Sequence, residues 1–203
     1  MVDEHALRGD VDGDGRPDRV FTARVRGSTA YCRYALVVVS RGRYFTAALH
    51  HGDAGGEAPP GYWPPTTPAA DVLARLDGRP GADILVAFWE GGSGRRSDAV
   101  FAMRHGTLIR LDLRATGVAG NILDFGSGGM AEVTLGCDKA KPGRLYQLVG
   151  LDTMNGRLRI TRTDYAFRND ALVRLSQRNE GVHREMRSGF LAGCTVATNF
   201  RRR

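Results

Sequence analysis

The stretch Asp10-Val11-Asp12-Gly13-Asp14-Gly15-Arg16-Pro17-Asp18 places carboxylates at positions 1, 3, 5 and 9 of a short loop, with glycine at position 6. Alternate residues of a tightly wound loop point inward, and carboxylate oxygens are the ligands that a hard cation such as Ca²⁺ prefers. Gly15 allows the sharp turn that would bring the carbonyl of Arg16 to the same point. Without a cation, four carboxylates so close together repel one another. The stretch therefore predicts a metal site, and the alternative is a polar turn that binds nothing.

The residues after the loop exclude an EF-hand. That motif needs a bidentate glutamate at position 12 and a helix on each side. Position 12 is Phe21, and Val20-Phe21-Thr22-Ala23-Arg24-Val25 is β-branched and apolar, which predicts a strand. A dockerin-type site is excluded as well, because it would need a second copy of the same loop.

A nine-residue DxDxDGxxD loop that leads directly into a strand resembles the calcium loop of FG-GAP/VCBS repeats, the units of integrin-type β-propellers. The resemblance covers these nine residues closely and the rest of the chain only through degenerate repeats. It implies that Ca²⁺ is the bound ion. It also implies that Arg16 supplies a carbonyl and that four side chains supply carboxylate oxygens, namely Asp10, Asp12, Asp14 and Asp18.

Two weaker copies of the loop follow downstream. Asp77-Gly78-Arg79-Pro80 repeats residues 14–17 and reaches Asp83 after two extra residues, and residues 124–132 end in Glu132. An apolar run follows the first loop and each of its two copies, and after each run comes a glycine-containing turn that is typical of a hairpin. These turns are Arg41-Gly42, His105-Gly106 and Asn155-Gly156. Their glycines lie 24, 23 and 24 residues after Asp18, Asp83 and Glu132, which indicates a repeated unit.

The repeats predict an all-β fold, a β-propeller-like array of three to four short antiparallel blades. Each unit would cover the hydrophobic face of its neighbour within one domain, 1–203. The predicted units are approximately 6–50, 71–113, 121–163 and a divergent C-terminal unit, 170–200. A small closed propeller, an open stack and a compact sandwich all remain open at this length. Only the first loop keeps its ligands, so one strong calcium site is expected.

Several features bear on location. No run of about 18 apolar residues exists, which predicts no transmembrane segment. The start of the chain lacks the pattern of a signal peptide. For an extracellular protein, we expect the signal peptide to have been removed. Calcium loops of about 10⁻⁴–10⁻³ M affinity suit an extracellular or cell-surface location. In an oxidising compartment, a bridge between Cys137 and Cys194 would tie the C-terminal segment to its neighbouring blade, with Cys32 a free thiol.

The chain is strongly basic, with a net charge of +7, and of its 29 basic residues only Lys139 and Lys141 are lysines. Such an arginine bias is typical of a GC-rich bacterial genome. A basic surface favours anionic partners. However, no nucleic-acid-binding motif accompanies it, and we expect no specific nucleic acid partner. The oligomeric state is not predicted.

Composition and motifs favour a secreted, calcium-binding, non-catalytic module whose loops bind a protein or a glycan. The histidines are dispersed, and no nucleophile elbow, phosphate-binding loop or zinc-protease motif occurs. One alternative is an extracellular hydrolase of a cell-surface polymer that uses acids such as Asp53, Glu90 or Asp98. It predicts a second pair of carboxylates roughly 5–10 Å apart in a cleft. Another alternative is a basic module that binds an anionic polymer.

Overall fold

The computed structural model describes residues 6–24, 34–49, 68–90, 96–117, 123–128, 131–186 and 191–198. Within them lie β-strands and a single 3₁₀ turn, Arg114–Thr116, and the all-β prediction is confirmed. In chain order the strands are β1 (Leu7–Gly9), β2 (Asp18–Arg24), β3 (Tyr34–Ser40), β4 (Arg43–Leu49), β5 (Ala69–Ala74), β6 (Asp83–Glu90), β7 (Arg96–Arg104), β8 (Thr107–Arg110), β9 (Leu123–Gly128), β10 (Ala131–Cys137), β11 (Arg144–Asp152), β12 (Leu158–Arg168), β13 (Ala171–His183) and β14 (Thr195–Thr198).

The strands form three antiparallel meanders, each of four strands. The first meander, β1–β4, is a separate sheet. The second, β5–β8, and the third, β10–β13, belong to one larger sheet, because β9 pairs with both β7 and β10. The last strand, β14, returns to pair with β5 at the edge of the second meander.

The C-terminal third of the chain is organised differently from the predicted units. The third meander runs from residue 131 to residue 183 and so crosses the boundary predicted between units 121–163 and 170–200. Within the described part of residues 170–200, β13 belongs to the third meander and β14 to the edge of the second. The long pairing of β12 with β13 holds this segment in the third sheet.

Each meander has a tight turn between its third and fourth strands. Arg41-Gly42 and His105-Gly106 occupy these turns in the first two, with positive φ at both positions, and both hairpin predictions are confirmed. In the third meander the equivalent turn is Asn169-Asp170, with φ of 50° and 63°. Asn and Asp tolerate this conformation better than other non-glycine residues. The predicted Asn155-Gly156 turn lies one hairpin earlier, between β11 and β12.

The prediction of a third loop at residues 124–132 is wrong. Residues 124–128 lie in β9 and residues 131–132 in β10, and these strands pair antiparallel with Glu132 opposite Ser127; residues 129–130 lie outside the described part of the chain. A ladder of backbone hydrogen bonds therefore replaces the wound loop. The apolar run that was expected after it, Val133-Thr134-Leu135, does lie in a strand, β10.

The second meander lies between two hydrophobic cores. Adjacent residues of a strand point to opposite faces, and Leu73 and Ile84 join one core whereas Val72 and Leu85 join the other. The first core also contains residues of β1–β4, and the second contains residues of β10–β13. Burial on both faces explains why β6 reads as a continuous apolar run rather than an alternating one.

A disulfide joins Cys137, at the end of β10, to Cys194, which precedes β14, with their Cα atoms 5.2 Å apart. It therefore links the third meander to the segment that returns to the second. Cys32 lies outside the described residues. The bridge closes a chain segment of sequence separation 57. By the loop-entropy relation, a loop of this length is stabilised by up to about 4 kcal/mol.

We expect reduction of this disulfide to lower the free energy of unfolding by about 2–4 kcal/mol, because the unfolded chain regains the entropy of the open loop. Urea unfolding with and without dithiothreitol measures the difference. The Cys137→Ser/Cys194→Ser double variant is the control, since its stability should match that of the reduced protein and should not respond to the reductant. If dithiothreitol lowered the stability of the double variant equally, the loss of stability would not come from this disulfide.

Candidate metal site

The loop between β1 and β2 is organised by the carboxylate of Asp10. Its Oδ1 accepts hydrogen bonds from the backbone N–H groups of Gly13 and Asp14, at 2.7 and 3.1 Å, and its Oδ2 accepts one from Gly15 at 3.0 Å. Gly13 and Gly15 both have φ of +81°, a conformation that suits glycine. The backbone therefore winds tightly around the first carboxylate, as expected from the sequence.

Three of the four predicted carboxylates converge. Oxygen atoms of Asp10, Asp12 and Asp18 lie within 4.8 Å of one another. Asp18 is only 3% exposed, and its Oδ2 accepts a hydrogen bond from the N–H of Val11 at 2.9 Å. Among the described residues, no arginine or lysine forms an ion pair with any of these three carboxylates. The arrangement concentrates negative charge at one point, which a divalent cation would neutralise.

Asp14, the fourth predicted carboxylate, is not among the converging three. Its Oδ2 accepts a hydrogen bond from Nε of Arg41 at 2.5 Å. The hydrogen bond from the Arg16 N–H, together with Arg41, lowers the pKa of Asp14. The side chain of Arg16 is exposed. Asp14 would have to leave Arg41 in order to join a cation held by the other three.

The loop between β5 and β6 shares two hydrogen bonds with the first loop, in a different register from the predicted one. Asp83 accepts a hydrogen bond from Leu76 seven residues earlier, as Asp18 does from Val11. Asp77 accepts one from the N–H two residues later, as Asp12 does. The two loops therefore align without extra residues, and the shared Asp-Gly-Arg-Pro is out of step by two positions. This corrects the expected insertion before Asp83.

The two loops also pack against each other. The N–H of Ala82 donates to the carbonyl oxygen of Asp10 at 2.8 Å. A Cβ atom added to Gly81 would lie 2.6 Å from the carbonyl oxygen of Val11, and one on Gly13 would lie 2.8 Å from Cβ of Pro80. Such close approach is available only to glycine. The backbones of the two loops are therefore in direct contact.

A guanidinium group occupies the second loop. Arg104, the last residue of β7, donates from Nη2 to Asp77 and has the same nitrogen 3.8 Å from Asp83. Its Nε donates to Asp170, in the turn of the third meander, at 2.7 Å. All three carboxylates thus share one arginine, of which only 12% of the side chain is exposed. The second loop has an internal cation.

In the first loop the equivalent position is Ser40. It precedes the Arg41-Gly42 turn as Arg104 precedes His105-Gly106, and it is 3% exposed. Its hydroxyl donates to Oδ2 of Asp12 at 2.8 Å, where Arg104 contacts the equivalent Asp77. Sequence reasoning missed this pair, although both residues stand immediately before the predicted hairpin turns. One loop thus has a positive charge at this position and the other has a neutral hydroxyl.

Asp83 gives the second loop a distinctive pH dependence. Burial and the neighbouring Asp77 raise the pKa of Asp83 to about 7, against the hydrogen bonds from Leu76 and Asp77 and the charge of Arg104. A carboxyl with a raised pKa binds its proton more tightly in the folded state. Its contribution to stability is therefore complete below the unfolded pKa of 3.8 and is lost as the pH rises through about 7.

We expect the free energy of unfolding, measured in EDTA, to fall by on the order of 3 kcal/mol between about pH 4 and pH 7 because of Asp83. Urea titrations at several pH values measure this slope. Asp83→Asn should flatten the slope in this range, since the amide does not titrate. If the variant and the parent have the same slope, Asp83 is ionised at both ends of the range.

The structure also places one of the acids proposed for a hydrolase. Asp98 is fully buried and accepts two hydrogen bonds from Arg96, at 2.7 and 2.6 Å, while the same guanidinium binds both oxygens of Asp71 at 2.5 Å. Burial lowers the pKa of Arg96, but Asp98 and Asp71 outweigh it and the net shift is upward. Asp98 is therefore held as a structural ion pair. Asp53 and the side chain of Glu90 lie outside the described residues.

No family model matches this chain, and neither does any curated protein. Among solved structures, a Bacillus licheniformis rhamnogalacturonan lyase PL11 aligns with 86% of this chain and 33% of that chain, at 15% identity and a TM-score of 0.37. Across the residues that the structure describes, there is no helix of the length and hydrophobicity that crossing a membrane requires.

Proposed function

We propose that this protein is a non-catalytic binding module, stabilised by Ca²⁺ in its first loop and built from propeller-like repeat units. The observation that carries the calcium proposal is the contrast between Ser40 and Arg104. Both loops place a carboxylate, Asp12 or Asp77, against the residue that precedes the hairpin turn. In the second loop this residue is an arginine, so the first loop, in which Asp10, Asp12 and Asp18 converge, is the one that needs a cation from solution.

The donors suit Ca²⁺ in particular. Asp10, Asp12 and Asp18 offer only oxygen atoms, which hard cations prefer, and no histidine or cysteine is among them. Ca²⁺ accepts six to eight oxygens in a flexible arrangement, whereas Mg²⁺ demands a smaller octahedron. Asp14 and the carbonyl of Arg16 would complete the set. In this function the ion fixes the first loop, which in turn supports the backbone of the second.

The repeat units support the propeller-like part of the proposal. Each meander has four antiparallel strands, and the second is covered by the first on one face and by the third on the other. Such stacking is how repeated blades bury a continuous core. The disulfide, which would persist in an oxidising compartment, and the weak calcium affinity expected of such loops support an extracellular or cell-surface location. A protein or a glycan would be the partner.

Thermal unfolding tests the calcium site. We expect about 2 mM Ca²⁺ to raise the unfolding midpoint by roughly 2–6 °C relative to EDTA, which corresponds to about 1–2 kcal/mol of binding free energy. Asp12→Asn and Asp18→Asn should each abolish the rise. Glu132→Gln, a carboxylate of the loop that was wrongly predicted, removes the same charge and should keep it. A rise that survives both aspartate variants would place the ion elsewhere.

A further inference from the structure

A polar cleft of about 330 Å³ lies on one face of the third meander, against the 3₁₀ turn. The register places Gln147, Thr163 and Gln177 side by side across β11, β12 and β13, and all three line the cleft. Thr161 lines it one row further along, and residues 115–117 form a wall. The volume is at the lower end of the range for small-molecule sites.

The chemistry of the lining is specific. Glutamine and threonine side chains can both donate and accept hydrogen bonds, which matches the hydroxyl groups of a sugar. Among the described residues that line the cleft, Arg174, which lies opposite Tyr165, is the one charged residue and none is acidic. Arg174 is exposed and is oriented by a hydrogen bond from its Nη2 to Oε1 of Gln177. A guanidinium recognises a carboxylate through paired hydrogen bonds.

The floor of the cleft has unused hydrogen-bonding capacity. Gln147 is only 8% exposed, and its Oε1 accepts a long bond from the Tyr165 hydroxyl at 3.4 Å. Burial raises the pKa of Tyr165, so this hydroxyl remains a donor. Among the described residues, the amide nitrogen of Gln147 donates to no protein atom. This nitrogen is open to solvent in the cleft, and a ligand hydroxyl can replace water there as its hydrogen-bond partner.

We propose that this cleft binds a carboxylate-bearing sugar, a uronic acid unit, with Arg174 on the carboxylate and Gln147, Thr163 and Gln177 on the hydroxyls. This cleft names the class of glycan, and the site, for the binding function proposed above. The inference rests on that proposed function. The absence of acidic residues from the cleft lining fits an anionic ligand, as does the net charge of +7 of the chain.

Titration of the ¹⁵N-labelled 22.1 kDa protein by NMR tests the proposal. The probes are glucuronate and galacturonate, their neutral counterparts glucose and galactose, and inorganic phosphate and sulfate. We expect a uronate to shift the side-chain amide signals of Gln147 and Gln177, assigned with Gln→Leu variants, with a dissociation constant of about 1–10 mM. The neutral sugars should bind at least about tenfold more weakly, because they leave Arg174 without a carboxylate.

Matched arginine variants supply the control. Arg174→Gln should weaken uronate binding by about tenfold or more, while Arg178→Gln, on the same strand but outside the cleft lining, should leave it within about twofold. Unchanged binding in Arg174→Gln, or no shift with either uronate at about 20 mM, would overturn the proposal. Phosphate or sulfate binding as tightly as the uronates would also overturn it, by indicating a simple anion site.

The titration is run both in EDTA and with about 2 mM Ca²⁺, in each case on protein whose NMR spectrum is that of a folded chain. Bridging of the uronate by Ca²⁺ is excluded in EDTA. The calcium site is judged by thermal unfolding alone, without sugar. Failure of the cleft and failure of the calcium site are therefore separate results.

Discussion

Ser40→Arg is expected to remove calcium dependence from the fold. Arginine at this position reproduces the arrangement of the second loop, in which Arg104 contacts Asp77 and Asp83. The new guanidinium would contact Asp12 and Asp18 and would repel Ca²⁺ by several kcal/mol at the short distances involved. In EDTA the unfolding midpoint should lie above that of the unaltered protein. Addition of about 2 mM Ca²⁺ should then change it by less than about 1 °C.

Two further variants make this result interpretable. Ser40→Ala removes only the hydrogen bond to Asp12 and should keep the calcium response, so loss of the hydroxyl is separated from gain of the charge. Ser40→Lys places a positive charge there with a different shape, in case arginine does not pack. Circular dichroism establishes that each variant is folded. A calcium response of the original size in folded Ser40→Arg would show that the ion does not occupy this position.

Arg104→Ser is the reverse exchange and should be the most destabilising single substitution discussed here. It would leave Asp77 and Asp83, whose side chains are 4% and 3% exposed, without their shared cation. Removal of Arg104 raises the pKa of Asp83 further, so Asp83 takes up a proton at pH 7 and Asp77 is the buried charge that loses its partner. Loss of one partner from a buried ion pair costs about 3–5 kcal/mol, because the remaining charge stays desolvated. We expect a loss of this size in urea unfolding at pH 7 in EDTA, and a slightly smaller loss at pH 5, where Asp83 is already protonated in the unaltered protein.

Arg114→Ala is the control for this substitution. Arg114 also pairs with an aspartate, Asp112, but 82% of its side chain is exposed. Exposed pairs contribute between 0 and about 1 kcal/mol, so this variant should lose at most that amount. If Arg104→Ser lost no more than Arg114→Ala, the guanidinium would not be an internal cation, and its contrast with Ser40 would no longer support the calcium site.

The sequence allowed the fold class and the first loop to be predicted because both depend on local signals. Apolar, β-branched runs identified β2 and β6, and glycine turns identified the first two hairpins. The winding of residues 10–18 follows from its aspartates and glycines. The third hairpin was misplaced because Asn169-Asp170 adopts the turn without glycine. No local signal distinguished it from Asn155-Gly156, and the choice between them depends on strand pairing.

The register of the second loop was wrong for a different reason. The identical Asp-Gly-Arg-Pro at residues 14–17 and 77–80 suggested one alignment of the two loops. The observed alignment is determined instead by buried residues. Val11 and Leu76 are both buried and donate to Asp18 and Asp83, which fixes the length between them. The role of Arg104 could not be predicted either. This residue of β7 contacts the second loop and the turn of the third meander, which are far apart in the sequence.

A crystal structure of the protein grown with about 2 mM Ca²⁺, with anomalous diffraction used to locate the ion, shows whether the first loop binds calcium. We predict one calcium ion at about 2.3–2.6 Å from oxygens of Asp10, Asp12 and Asp18, and none between Asp77 and Asp83. Asp14 should have left Arg41 to join the ion. A first loop with the Asp14–Arg41 pair intact and no anomalous peak among its carboxylates would show that this loop is not a calcium site.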